Sequence, residues 1–326
     1  MTEEPLSQEH ELPPRTFGPV PSRRFGQSLG LNTIPPKTCS YSCVYCQAGA
    51  TDHLTVRREA HCDPAELFAG VRSVLKKLRE RKERVDYLTF VPDGEPTLDS
   101  RLGDQLRVLR PLGIPLAIIT NASLLSREDV RRDLALADCV SVKVDTVRHA
   151  SWRHLNRPHG DLRLEDILDG IGQFAREFHG ALITESMLVR GLNDSDDDLK
   201  PLASFLGQVK PERSYIAIPT RPPAVDSVEP ASEDALVRAH EILAGSVGHV
   251  ELLTGYEGTA FASLGDARSN LLAITAVHPM RADQVEALLD RCGATWDVVE
   301  WLLRQQTLRE VVYGGHRFYM RRLSNS

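Results

Sequence analysis

Cys39-Ser40-Tyr41-Ser42-Cys43-Val44-Tyr45-Cys46 places three thiols in one short run, with three and then two residues between them. Three thiolates this close can hold three irons of a cubane [4Fe–4S] cluster. With no fourth Cys in the run, one iron keeps an open position where chemistry can occur. Zinc is the competing reading. Zinc takes four ligands, commonly from two pairs, and the chain has no second CxxC or HxxxH pair. His53, His61 or Cys62 could still supply a lone fourth ligand, and a catalytic zinc with an open position is a further alternative. The spacing alone leaves both metals open.

Upstream of this run, Phe17-Gly18-Pro19-Val20-Pro21-Ser22-Arg23-Arg24 is rich in turn residues, and Leu29-Gly30-Leu31-Asn32 is a short strand candidate leading into the Cys loop. Downstream, the loop extends to about residue 63. Leu67, Val71, Val74, Leu75 and Leu78 then fall on one face of a helix that starts at Asp63 or Pro64. Strands are expected at residues 85–91, 116–121, 139–145, 181–189 and 214–218. Helical patterns separate them near 103–112, after a capping box at Ser126 to Asp129, over 164–178 and over 197–208. Six strands alternating with helices or crossover segments specify parallel strands and right-handed crossovers, and six units are too few for an eight-unit barrel. The expected fold class is α/β, a partial (β/α)6 TIM-like barrel. The strand ends in such a fold bring the Cys loop, Gly94, Glu95, Asn121, Asp145 and Arg221 to one mouth.

From about residue 274 the pattern changes. Val285, Leu288 and Leu289 mark one helix, and Val298, Val299, Leu302 and Leu303 a second. A hairpin with a Gly314-Gly315 turn follows. This order predicts a small winged-helix-like α+β module. The expected division is an acidic, mobile leader at 1–16, a barrel at 17–270 and the module at 271–326. After Leu303 there are five Arg (304, 309, 317, 321 and 322) against one acid, Glu310. They suit either phosphate contacts or the solvent face of the hairpin, and docking of a substrate or partner is preferred over nucleic-acid binding.

Hydrophobic residues make up 41% and charged residues 26% of the 326 positions, as in ordinary globular chains. No apolar run is long enough to span a membrane, and the first residues have neither the basic start nor the apolar core of a signal peptide, so a cytoplasmic location is expected. In a reducing compartment the six Cys are thiols rather than disulfides. Cys62, Cys139 and Cys292 are scattered singly, which predicts a single cluster. The net charge of −6 argues against a surface coated by nucleic acid.

The Cys run resembles the CxxxCxxC signature of the radical S-adenosylmethionine (SAM) enzymes, with Tyr45 as the aromatic residue before the last Cys. Gly94-Glu95-Pro96-Thr97-Leu98, directly after the second expected strand, is similar to that family's second motif. The resemblance spans residues 18 to about 323. It implies that Cys39, Cys43 and Cys46 ligate one [4Fe–4S] cluster and that SAM chelates the open iron. Reduction by a flavodoxin- or ferredoxin-like donor then cleaves SAM to methionine and a 5′-deoxyadenosyl radical that takes a substrate hydrogen. It also implies that the Gly94-Glu95-Pro96 segment receives the SAM amino group.

Tyr45, Asn121, Ser141, Asp145 and Glu185 are the remaining candidates for cofactor contact. Ser141 and Asp145 alternate with Lys143 along a strand and could meet the ribose or carboxylate of SAM. Glu185 sits mid-strand among apolar neighbours, a costly place for a carboxylate without a partner. Arg23, Arg24, Arg157 and Arg221 could hold an anionic substrate or the SAM carboxylate, or could pin loops.

Gly18 to Arg24, the GEPTL segment, Asn156-Arg157-Pro158 and Arg221-Pro222-Pro223 are similar to short motifs of the radical SAM proteins related to wyosine (tRNA) synthesis. Two departures stand against carrying that function over. Val91-Pro92-Asp93 replaces small residues, and no Cys precedes Cys39 to bind a second cluster. The sequence names no general acid, base or radical relay. It leaves a tRNA base, a peptide and a small molecule open as substrates. The competing class is a non-catalytic iron–sulfur sensor that binds nucleic acid through the C-terminal module.

Overall fold

In the computed structural model, which describes residues 15–254 and 266–322, β1 (Thr16–Ser22) and β2 (Gly26–Leu31) form an antiparallel hairpin. The leader expected at 1–16 lies outside the described residues except for its last two positions. Two short strands, β3 (Thr38–Cys39) and β4 (His53–Leu54), bracket the Cys loop. Then come α1 (Pro64–Glu80), β5 (Tyr87–Phe90), α2 (Leu102–Leu109), β6 (Leu116–Thr120), α3 (Glu128–Leu134), β7 (Cys139–Lys143) and α4 (His149–Asn156). The barrel continues with α5 (Leu164–Glu177), β8 (Ala181–Met187), α6 (Asp196–Val209), β9 (Arg213–Ala217), α7 (Glu233–Ala244) and β10 (Val250–Leu253).

The main sheet runs β1-β2-β5-β6-β7-β8-β9-β10, parallel throughout from β2 onward. It curls into a half-barrel, and the six expected strands are β2 and β5 to β9. Two edge strands were not expected. β1 carries Pro19 and Pro21, which read as turn residues, yet proline is tolerated on an edge strand. β10 is short and half exposed, so it lacks the apolar run that marks an interior parallel strand.

Local chemistry sets the helix starts. The Asp63 side chain accepts from the amides of Ala65 and Glu66, and Pro64 occupies the first turn of α1, whose Leu67, Val71, Leu75 and Leu78 are buried. The capping box expected at Ser126 does not form. α3 starts at Glu128 behind Arg127 without a side-chain cap, and the Ser126 carbonyl instead accepts from Arg131 Nη1 at 3.0 Å. Alternate residues of β7 face opposite sides. Val140 and Val142 pack outward with the helices, and Cys139 packs inward with Phe25, Ala117, Ile183 and Tyr215. That inner cluster closes the barrel below the strand ends. Among the described residues no helix is long and apolar enough to cross a membrane.

The C-terminal segment comprises α8 (Ala267–Val277), β11 (Met280–Arg281), α9 (Ala282–Cys292), α10 (Asp297–Arg304), β12 (Leu308–Tyr313) and β13 (His316–Arg321). Its three strands form an antiparallel sheet, β11-β13-β12. Gly314 and Gly315 have φ of 55° and 76°, the left-handed pair that a two-residue hairpin turn requires. The boundary expected at 270/271 falls inside α8, which Asp266 caps by accepting from the Ser269 amide at 3.0 Å. The core of this domain, including Leu271, Ile274, Met280 and Leu302, also takes in Phe17 and Val20 of β1. β1 thereby docks the C-terminal domain against the barrel.

Candidate cofactor site

Cys39 ends β3, and Cys43 and Cys46 follow in a loop held from two sides. On one side Thr38 bridges Gly94, and its carbonyl accepts from the Glu95 amide at 3.1 Å. On the other side the end of α4 grips the loop through main-chain bonds. Ser42 N donates to Asn156 O at 3.0 Å, Val44 N to Leu155 O at 2.9 Å, and His159 N to Ser40 O at 2.9 Å. The chain turns for this grip at Arg157, which adopts φ of 44°. Val44 and Tyr45 pack with Leu155, Val189 and Val228.

All three thiols line one cavity of about 270 Å³ at the barrel mouth, together with Gly94, Glu95, Asn121, Asp145 and Glu185. His53, His61 and Cys62 do not line it. Among the described residues no group of three His, Cys, Asp or Glu is placed to hold a single metal ion. All six Cys are free. Burial, the Asp145 charge and Cys46 push the Cys43 thiol up to about 12, and burial also raises Cys39 and Cys46. A bound metal cation favours the thiolate form of such thiols and opposes this rise. Three convergent sulfurs, with no fourth Cys or His lining the cavity among the described residues, fit a cubane cluster with an open iron better than a closed zinc site.

Glu95, 1% exposed, is held by four donors. Oε1 accepts from Thr97 N at 3.0 Å, Thr97 Oγ1 at 2.6 Å and Thr120 Oγ1 at 2.6 Å, while Oε2 accepts from Asn121 N at 2.7 Å. Burial raises its pKa and these hydrogen bonds oppose the rise. A carboxylate has about four lone-pair positions, so Oε2 keeps one for a further donor. Pro96 opens a 3-10 turn, Pro96–Leu98, and is buried. It shapes the motif and does not line the cavity.

Asn121 and Asn156 connect this motif to the sulfurs. Asn121 Nδ2 donates to Ser40 Oγ at 2.9 Å and approaches Cys39 Sγ at 3.5 Å. Asn156 Nδ2 donates to Asp145 Oδ2 at 2.7 Å and approaches Cys43 Sγ at 3.4 Å. Tyr45 donates its hydroxyl to the same Asp145 oxygen, and Asp145 Oδ1 accepts from Met187 N at 2.9 Å.

Glu185 lines the cavity with its carboxylate already engaged. Arg24 bonds Oε2, and Lys143 Nζ lies 3.0 Å from Oε1. Burial alone would raise Glu185, but Arg24 and Lys143 outweigh it and hold the carboxyl at about 2. The Lys143 ammonium also sits 4.9 Å from the Tyr45 ring centroid. Ser141 is not brought to the site. It is fully buried, its Oγ has no partner among the described residues, and it does not line the cavity. Positions two apart share a strand face, so Lys143 stands on the same side as Asp145, one step nearer the mouth than Ser141. Sequence reasoning passed over Lys143 and the Asn156 side chain, although Asn156 lay in a motif already singled out.

A second cavity of about 450 Å³ shares Pro219, Thr220 and Arg221 with the first, and Gln284, Tyr313, His316 and Phe318 of the C-terminal domain help to line it. Tyr313 donates its hydroxyl to Pro219 O at 3.1 Å, and Arg221 Nη2 lies 3.0 Å from His278 Nε2. The two domains meet beside the site.

Residues 33–205 match the family model of the radical SAM superfamily. The chain is 40% identical to the UPF0026 protein MJ1312 of Methanocaldococcus jannaschii, over 95% of this chain and 96% of the relative. It is 29% identical to a UPF0026 protein of Helicobacter pylori strain 26695, over 95% and 98% of the two chains. Its fold is similar to that of a radical SAM methyltransferase from Sphaerobacter thermophilus, with a TM-score of 0.51, 16% identity and coverage of 70% of this chain and 66% of that one.

Proposed function

The chain belongs to the radical SAM superfamily, and from that premise we propose that Cys39, Cys43 and Cys46 ligate three irons of a single [4Fe–4S] cluster, with Gly94, Glu95, Asn121 and Asp145 facing SAM. The protein is a radical SAM enzyme, and the enzymes of this superfamily use a [4Fe–4S] cluster and SAM. When bound, these cofactors supply reductive cleavage of SAM and hydrogen abstraction from a substrate, which requires an electron donor. A flavodoxin- or ferredoxin-like protein is our choice for that donor.

The observation that carries the assignment is the shared cavity, in which three half-buried thiols face the anchored Glu95 carboxylate. The remaining lone pair of Glu95 Oε2 suits one N–H of the SAM amino group. Tyr45 and Asn156 orient Asp145. Glu185 holds Arg24 and Lys143 in place rather than meeting the cofactor itself.

We read the C-terminal domain as a winged-helix module that contributes to substrate docking. Its order of helix, strand, helix, helix, strand, strand supports the module, and the second cavity beside the site supports docking. The Arg residues give less support to a phosphate-binding face. Arg304 pairs with Glu300 at 3.5 Å, Arg317 lies 4.0 Å from Glu310, and Arg321 is half buried, where burial lowers its pKa and Asp93 opposes that fall. The motifs shared with wyosine-related proteins favour a relationship of scaffold, and the second cavity favours a small molecule or a single residue of a larger partner.

Anaerobic reconstitution followed by iron and sulfide analysis tests the assignment. About four irons per chain are expected, lost in Cys39→Ala, Cys43→Ala or Cys46→Ala and kept in Cys62→Ala, Cys139→Ala and Cys292→Ala. Stoichiometric zinc without iron after anaerobic purification would overturn it.

A further inference from the structure

Two of the three sulfurs proposed as cluster ligands receive a side-chain amide. Each amide has two hydrogens, and the network fixes where they go. Asn156 places one on Asp145 Oδ2 at 2.7 Å and leaves the other for Cys43 Sγ and the Tyr45 hydroxyl oxygen, each at 3.4 Å. Asn121 places one on Ser40 Oγ at 2.9 Å and leaves the other for Cys39 Sγ at 3.5 Å. Neither amide can be flipped without loss. A flipped Asn156 would set its oxygen against a carboxylate, and the Asn121 oxygen is already used by Ser123 N at 3.0 Å. Both sulfur contacts lie within the longer reach of N–H···S bonds, and Asn156 is only 3% exposed.

We propose that Asn156, with Asn121, tunes the reduction potential of the cluster by donating hydrogen bonds to its thiolate sulfurs; the inference rests on the cluster assignment above. Reduction adds one negative charge, which spreads onto the sulfurs. Donors aimed at those sulfurs therefore stabilise the reduced form more than the oxidised form and raise the potential. Each sulfur has a second donor nearby: Cys39 Sγ also accepts from Tyr41 N at 3.5 Å, and the Tyr45 hydroxyl lies within hydrogen-bond reach of Cys43 Sγ. Asn156 is the more deeply buried of the two amides and so the stronger lever.

The fold allows this role to be separated from a structural one. The end of α4 holds the Cys loop through the main-chain carbonyls of Leu155 and Asn156, so a side-chain substitution at 156 leaves that grip in place.

The test is a redox titration, followed by electron paramagnetic resonance, of reconstituted wild type, Asn156→Leu and Asn121→Leu, after iron and sulfide have been measured in each. Loss of one donor should lower the ratio of reduced to oxidised cluster at a fixed potential by roughly tenfold, a negative shift of 59 mV for one electron. The shift should be larger for Asn156→Leu than for Asn121→Leu, and Asn156→Gln should restore part of it. Loaded variants that titrate with the wild type overturn the inference and leave the cluster assignment standing. A wild type that takes up no iron overturns both.

Discussion

Gly94 and Thr38 touch backbone to backbone: a Cβ at position 94 would lie 2.1 Å from the Thr38 carbonyl oxygen. The glycine of the second motif therefore has a structural task, docking the segment that carries Cys39 against the end of β5. Gly94→Ala should push that segment away and cost about 1–3 kcal/mol in stability through overpacking. Cluster loading should fall sharply while the circular dichroism of the barrel is kept. A variant that loads iron like the wild type would show that the contact does not hold the loop.

Glu95→Ala should act on stability as well as on SAM. The substitution leaves Thr97, Thr120 and Asn121 donors without their buried acceptor, and each unsatisfied group costs about 1–3 kcal/mol. Urea unfolding of the metal-free variant should show a loss of several kcal/mol, and SAM affinity in the reconstituted protein should fall roughly tenfold to a hundredfold. Weaker SAM binding with unchanged stability would mean that the four-donor anchor contributes nothing to the fold.

Asp93 gives a pH dependence of defined sign. Burial raises its carboxyl from 3.8 to about 7, with Lys37 and Arg321 opposing and Asp52 assisting. A folded value above the unfolded one means that the protonated form favours folding. The contribution is fully present below about pH 4 and is lost as pH rises through 7, up to about 4 kcal/mol over the window. In the metal-free protein, Asp93→Asn should gain stability over the wild type between pH 5 and pH 8, as read from urea midpoints. A difference that does not change with pH would contradict the assignment of this titration to Asp93.

Glu185 neutralises two cations in a largely buried cluster, where its side chain is 9% exposed. Glu185→Gln takes the carboxylate away from Arg24 and leaves Lys143 with only the more distant Asp145 charge, and should cost about 3–5 kcal/mol. Arg24→Met should cost less, because Lys143 still meets the carboxylate. Equal losses, or none, would contradict this account of the ion cluster.

The sequence exposed what is local. The Cys spacing and the GEPTL segment each lie within a few residues, and strand–helix alternation placed both at strand ends. What escaped it depends on long-range partners. Asn156 reaches Cys43 across 113 positions, and Arg24 reaches Glu185 across 161, so neither contact leaves a local spacing to read. β1 was hidden by prolines that are tolerated only because it is an edge strand. Ser141 and Lys143 share a face by parity, but depth along the strand separates them, and depth is set by how far the inner cluster of Phe25, Cys139 and Tyr215 fills the barrel.

The most direct test of the central claim is the yield of 5′-deoxyadenosine when anaerobically reconstituted protein is mixed with SAM and dithionite. The wild type should release 5′-deoxyadenosine and methionine, and Cys43→Ala, which lacks one of the proposed cluster ligands, should release neither. Equal yields from the two proteins, or no product from a wild type that carries a full cluster and binds SAM, would contradict the account.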